Sequence, residues 1–214
     1  MTLRKTAAIA ALCAPMIAAG GAHAQGITWN YGVDFTSNYI LDGVSQSDGR
    51  AAVQPWVEAE IGKFYVGTWM SNVDFGAGDN NKWETDLYFG YRTELGSSFF
   101  YDVSYAHYFY DRTGSDYGEI KNELTYSASD RVDLTAYVAY DPENKNWNYR
   151  GEIGFAVNDA ISLDAHYGHS DFYDHKYWRV GGTYAFNDMA MLNISYNGSE
   201  TKDEGWAATV GFAF

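Results

Sequence analysis

From Thr28 to Phe214, apolar and polar side chains alternate with a period of two, in about twelve short segments. Period two is the signature of a strand, whose side chains point to opposite faces in turn. In Thr28–Tyr39 one face carries Trp29, Tyr31, Val33, Phe35, Ser37 and Tyr39, and the other carries Asn30, Asp34 and Thr36. The split recurs further along. Thr85, Leu87, Phe89 and Tyr91 oppose Glu84, Asp86 and Arg92; Ile153, Phe155 and Val157 oppose Arg150, Glu152 and Gly154. Two segments are less regular. In Ala52–Ile61, Pro55 predicts a late start or a bulge, because proline donates nothing to a sheet ladder. Phe64–Val73 is apolar on both faces, and the turn Gly62-Lys63 sets its register, with Tyr65 and Trp69 inward.

The breaks between segments alternate as well. Gly62-Lys63, Gly96–Ser98, Ser129–Arg131, Asn158–Ala160 and Asn187–Ala190 are tight; Ile40–Ala51, Asp74–Lys82 and Gly198–Gly205 are long and polar. Tight turns at one end and long loops at the other predict an all-β fold: a transmembrane, antiparallel, up-and-down β-barrel of about 12 strands. An even strand number places both chain ends at the tight-turn, periplasmic side.

Residues 1–24 read as a cleaved signal peptide. Arg4 and Lys5 make a basic start, Ala7–Ala19 is a short apolar run, and Ala22-His23-Ala24 is a small-residue cleavage site before Gln25. The barrel domain is then 25–214, and the one cysteine, Cys13, leaves with the signal. The expected location is the outer membrane of a Gram-negative cell. The formal charge of −14 disfavours nucleic-acid partners, which require clustered Lys and Arg.

Alternation alone leaves open which face is outside, since a soluble lipocalin-like barrel also alternates. Side chains fill a barrel of about eight strands, not twelve, so an apolar interior is disfavoured. Trp and Tyr recur near stripe ends (Trp29 and Tyr39, Trp178 and Phe186, Trp206 and Phe212), as in the girdles of membrane barrels. The alternating run into Phe214 resembles the C-terminal signal read by the outer-membrane assembly machinery. Expected partners are therefore that machinery, outer-membrane lipids and lipopolysaccharide, and small solutes.

Three blocks carry a family resemblance. They are Asp34–Ile40 with Gly43–Gly49, then Phe64–Trp69 with Ser71–Gly76, then Glu84–Tyr88. In these the chain resembles the TorF family of proteobacterial porins, which implies an outer-membrane barrel and a transport role. Where that family carries an arginine before the glycine of the first block, this chain has Asp42.

With the apolar stripe toward lipid, the inward face carries Asp34, Glu58, Glu60, Glu84, Asp86, Glu94, Asp102, Glu119, Glu123, Asp133, Glu152 and Asp164. Against these stand Arg92, Lys121, Arg150 and Arg179, with His166 on the same face. Such an excess of acids predicts a wet, cation-preferring lumen; the alternative is a salt-bridged plug. Lys121, Arg150 and Arg179 fall on segments six, eight and ten, roughly opposite the acids of segments one, two and four, which predicts a field across the bore. Inward aromatics such as Trp69, Tyr88, Tyr108 and Tyr137 stand in position to narrow it.

Enzymatic readings find little support. Lipid-modifying barrels pair histidine and serine as H-x-S, and no such triplet occurs; His166 and Ser170 share a face but stand four residues apart. Asp171, Asp174 and His175, and Glu200, Asp203 and Glu204, read as solvated outer loops rather than cation sites. No metal, cofactor or catalytic residue is expected. A pore for passive diffusion is favoured over a closed structural or adhesin-like barrel.

Overall fold

The structure, a computed structural model, describes residues 26–201 and 205–214; the expected signal segment lies outside them. Strands β1 (Thr28–Thr36), β4 (Ala52–Ile61), β5 (Phe64–Asn72), β6 (Trp83–Leu95), β7 (Phe99–Tyr110) and β8 (Gly114–Ser129) form the first half of a ring. Strands β9 (Val132–Asp141), β10 (Asn146–Ala156), β11 (Ile161–Ser170), β12 (His175–Asn187), β13 (Ala190–Ser199) and β14 (Gly205–Ala213) form the second. Each pairs antiparallel with its chain neighbour, and β1 pairs with β14, giving a closed 12-stranded barrel. Between β1 and β4 lies a small separate hairpin, β2 (Ile40–Leu41) and β3 (Val44–Ser45).

The ring closes where Phe214 and Tyr31 exchange backbone hydrogen bonds of 2.8 and 3.3 Å, with their rings stacked 5.8 Å apart. No barrel strand is left with an open edge, which a strand in lipid requires.

Burial is inverted relative to a water-soluble protein. Phe64 and Trp206 are 65% and 67% exposed, whereas Glu58 is 1% exposed. The exposed side is a continuous apolar surface, far larger than a soluble monomer shows. This inversion excludes the lipocalin-like alternative and gives a membrane-embedded barrel. Aromatic residues meet across strands as register partners. Phe64 packs on Tyr91 and Phe99 on Tyr126 near the tight turns; Tyr140 packs on Trp147 and Tyr196 on Trp206 near the other rim. Such pairs add about 0.5–1.5 kcal/mol beyond burial and place amphipathic rings at two levels, as interfacial girdles require.

Several expectations change. Tyr39 is not in a girdle: β1 stops at Thr36, and Tyr39 turns inward to meet Trp69 edge-on at 5.4 Å, beside Ala52 and Val73. Three outer connections, 111–113, 142–145 and 171–174, are as short as the inner turns, because strands such as the 16-residue β8 continue beyond the apolar band. Glu94 is exposed beside the turn after β6 and does not enter the bore.

Pro55 causes neither a bulge nor a late start. β4 pairs with β1 in unbroken register from Ala52, but its ladder with β5 begins only at Trp56, one residue past the proline. The Asn72 side chain bridges the gap. Its Oδ1 accepts from Val53 N–H at 2.7 Å and its Nδ2 donates to the Ala51 carbonyl at 3.1 Å. Asn72→Ala is expected to cost about 1–3 kcal/mol, the penalty for stranding partly buried backbone groups. The unfolding midpoint in urea, at unchanged m-value, measures it.

Candidate functional site

The polar stripes of all twelve barrel strands face a common interior. Three groups of side chains furnish it.

The first is organised by Arg92 on β6. Its guanidinium donates to Glu58 at 2.8 Å and lies 3.5 Å from Glu60 and 3.6 Å from Asp102. It also stacks on the Tyr65 ring, 3.8 Å from the centroid, while Tyr65 OH donates to Asp102 at 2.5 Å. Glycines make the stack fit. Tyr65 lies against Gly90, its register partner, and Tyr88 against Gly67; a Cβ at Gly67 would also meet the Val57 carbonyl oxygen at 2.7 Å.

The second lies on β8–β11. Arg150 stacks on Tyr137 at 3.9 Å, with its Nε 3.7 Å from Glu152; His166 lies 4.0 Å from the same carboxylate. Lys121 sits 3.7 Å from Glu119, which accepts from Tyr108 OH at 2.6 Å. The third is on β11–β13, where Arg179 pairs with Asp164 and donates to Asn193 at 3.0 Å.

Glu94 excepted, the acids and bases named from the alternation fall on the polar face of their strands, but not as a uniform ring of charge. Lys121, Arg150 and Arg179 each sit beside an acid on their own or an adjacent strand, so the basic wall is largely neutralised. Glu84 and Asp86 on β6 share the charge of Lys121, and Glu123 that of Arg150. Glu84, 3% exposed, keeps Oε2 without a protein donor, as does Asp86 at Oδ1. The inward face therefore holds more carboxylates than basic side chains, with Glu84 and Asp86 next to each other on its β6 stripe. His166 and Ser170 are separate, with His166 turned to Glu152 and Tyr177.

Sequence reasoning missed a further participant, the β2–β3 hairpin. Asp42 and Gly43, at φ 49° and 77°, form the two-residue turn that Asp-Gly favours. The tip reaches the far wall. Asn148 on β10 donates to Asp42 Oδ2 at 2.6 Å, and His175 Nε2 donates to the Asp42 carbonyl at 2.8 Å. Gln46 donates to Tyr173 OH at 3.0 Å. A Cβ at Gly43 would lie 2.5 Å from the Gly198 carbonyl oxygen on β13.

Residues 19–214 match the family described as "Bacterial protein of unknown function (Gcw_chp)". The chain belongs to the Gcw_chp family. No curated protein matches its sequence. Solved structures share the Gcw_chp barrel's fold at very low identity. A KdgM porin aligns over 86% of this chain and 99% of its own, with a TM-score of 0.67 and 8% identity. A KdgM porin in complex with disordered oligogalacturonate aligns over 87% and 98%, with a TM-score of 0.62 and 8% identity. A NanC porin aligns over 87% and 99%, with a TM-score of 0.54 and 10% identity. At such identities the likeness is one of fold: this Gcw_chp chain has the barrel of known outer-membrane porins.

Proposed function

We propose that this chain is an outer-membrane pore for passive diffusion of small solutes, with a preference for cations, and that it is a TorF-type porin. The carrying observation is the excess of carboxylates over basic side chains on the inward face of a closed barrel whose outer face is apolar. Charged groups within a spanning segment are costly unless they face water or a partner. A lumen of one sign raises the local concentration of the opposite ion. One porin of similar fold is solved with oligogalacturonate, a polyanion. The carboxylates of Glu84 and Asp86 would repel such a ligand, so the same architecture is read here as serving the opposite charge.

The reading includes export by a cleaved signal peptide, contact with outer-membrane lipids and lipopolysaccharide, and delivery to the assembly machinery through β14. It assigns no catalytic role to any residue. The favoured pore-lining acids are Asp34, Glu84, Asp86, Glu123 and Asp133.

Conductance of the purified protein in planar bilayers, with the reversal potential taken under a salt gradient, tests the proposal. The expected sign is cation-selective. Glu84→Gln with Asp86→Asn should roughly halve the reversal potential. A closed barrel that only exposes loops is the second reading, favoured by the hairpin across the mouth. Conductance no higher than background in folded protein selects it.

A further inference from the structure

The β2–β3 hairpin is held at both ends. Its base is tied to the connection after β5, where Asp74 N–H donates to the Gln46 carbonyl at 2.8 Å and Arg50 pairs with Asp74 at 2.8 Å. Its tip rests on β10, β12 and β13, and β10 lies five strands around the ring from β1. An Asp-Gly turn needs none of these distant contacts to form. They fix where the hairpin lies, and that is across the mouth at the outer-connection end.

We propose that this hairpin is a strap that narrows the outer mouth and controls entry to the bore, with Asp42 as its pin. Occlusion by the strap is independent of the pore reading; what passes beneath it rests on that reading.

The chemistry of the pin supports this. The Asp42 carboxylate meets Asn148 and lies near Arg150 on β10, Glu119 on β8, Tyr137 on β9, Tyr177 and His175 on β12, and Tyr173 in the connection before it. Burial pushes the carboxyl up to about 6, and the charge of Arg150 only partly offsets it. A released, solvated aspartate returns to about 3.9. The docked strap therefore binds a proton more readily than the released one, so docking strengthens as pH falls from about 6 toward about 4 and is constant above about 7. His175 Nε2 must carry hydrogen to meet the Asp42 carbonyl, and it does so whether the ring is neutral or charged.

Access to the bore tests the strap directly. Cys13 lies within the expected signal segment, so Ser195→Cys adds a single thiol to the mature barrel. Ser195 is buried on β13, four residues below the strap's rest at Ser199. Labelling by a membrane-impermeant maleimide, on protein in lipid vesicles, is compared with and without Gly43→Val or His175→Ala, and normalised to Asn80→Cys in an exposed loop.

Either strap variant should speed labelling on the order of tenfold, and labelling with the intact strap should be slower at pH 5 than at pH 8. Asp42→Asn, close to isosteric, should abolish that pH difference. Unchanged rates in both strap variants, with the barrel folded, overturn the strap. A pH response that survives Asp42→Asn overturns Asp42 as its pin. Faster labelling with no conductance in any variant supports the strap while refuting the pore.

Discussion

Replacing Arg92 with methionine is expected to destabilise the barrel by about 3–5 kcal/mol, the range for leaving a buried charge uncompensated. The reason lies in how many groups share this guanidinium. Glu58, Glu60 and Asp102 all lie within 3.6 Å of it, and Glu58 is almost fully buried. Methionine fills the volume but leaves three carboxylates facing one another in a confined interior. Arg92→Lys should fall between wild type and methionine. It keeps one charge but loses the planar fork and the stack on Tyr65. Urea unfolding in lipid, followed by tryptophan fluorescence, reads both. A methionine variant within about 1 kcal/mol of wild type would mean that the carboxylates are well solvated and the cluster is not structural.

The second large effect belongs to the outer face. Phe89 sits at the centre of β6, 60% exposed, against Tyr105 of β7. Phe89→Arg should cost about 2–4 kcal/mol, the value for a cation on the lipid face near the bilayer midplane, falling toward zero near the interfaces. Leu95→Arg, beside the turn that follows, serves as the shallow comparison. A photoprobe confined to lipid should mark Leu87 and Leu124 and spare Asp86 and Glu123. Equal costs at the two depths, or labelling of the carboxylates, would reverse the assignment of inside and outside.

Much of this architecture can be read from period two alone. Thr85, Leu87, Phe89 and Tyr91 face lipid because their neighbours Glu84, Asp86 and Arg92 cannot. The tight turns follow from short runs such as Gly62-Lys63. The outer rim was harder to read, for physical reasons. Strands that rise past the membrane into water no longer need an apolar stripe, so Gly114, Ser115 and Asp116 resemble loop while belonging to β8. Tyr39 looks like a continuation of β1, and only the inward turn after Thr36 removes it. The strap carried a usable sign: Asp42-Gly43 between Ile40-Leu41 and Val44 is a hairpin signature at its shortest. Its long-range partners Asn148 and His175 had none, because no local pattern encodes a contact across the bore. The same holds for charge pairing. Alternation put Arg150 and Glu152 on one face, but Tyr137 beneath the guanidinium comes from the neighbouring strand.

The seam between Tyr31 and Phe214 carries a consequence for biogenesis. A chain released before β14 is laid down would present two unsatisfied rows of peptide groups, on strands from opposite ends of the polypeptide, with nothing in hydrocarbon to quench them. Joining those distant segments is the act that completes the cylinder. Until it happens the product needs a chaperone's protection; afterwards, peeling away any one staff of the cask means rupturing two ladders together.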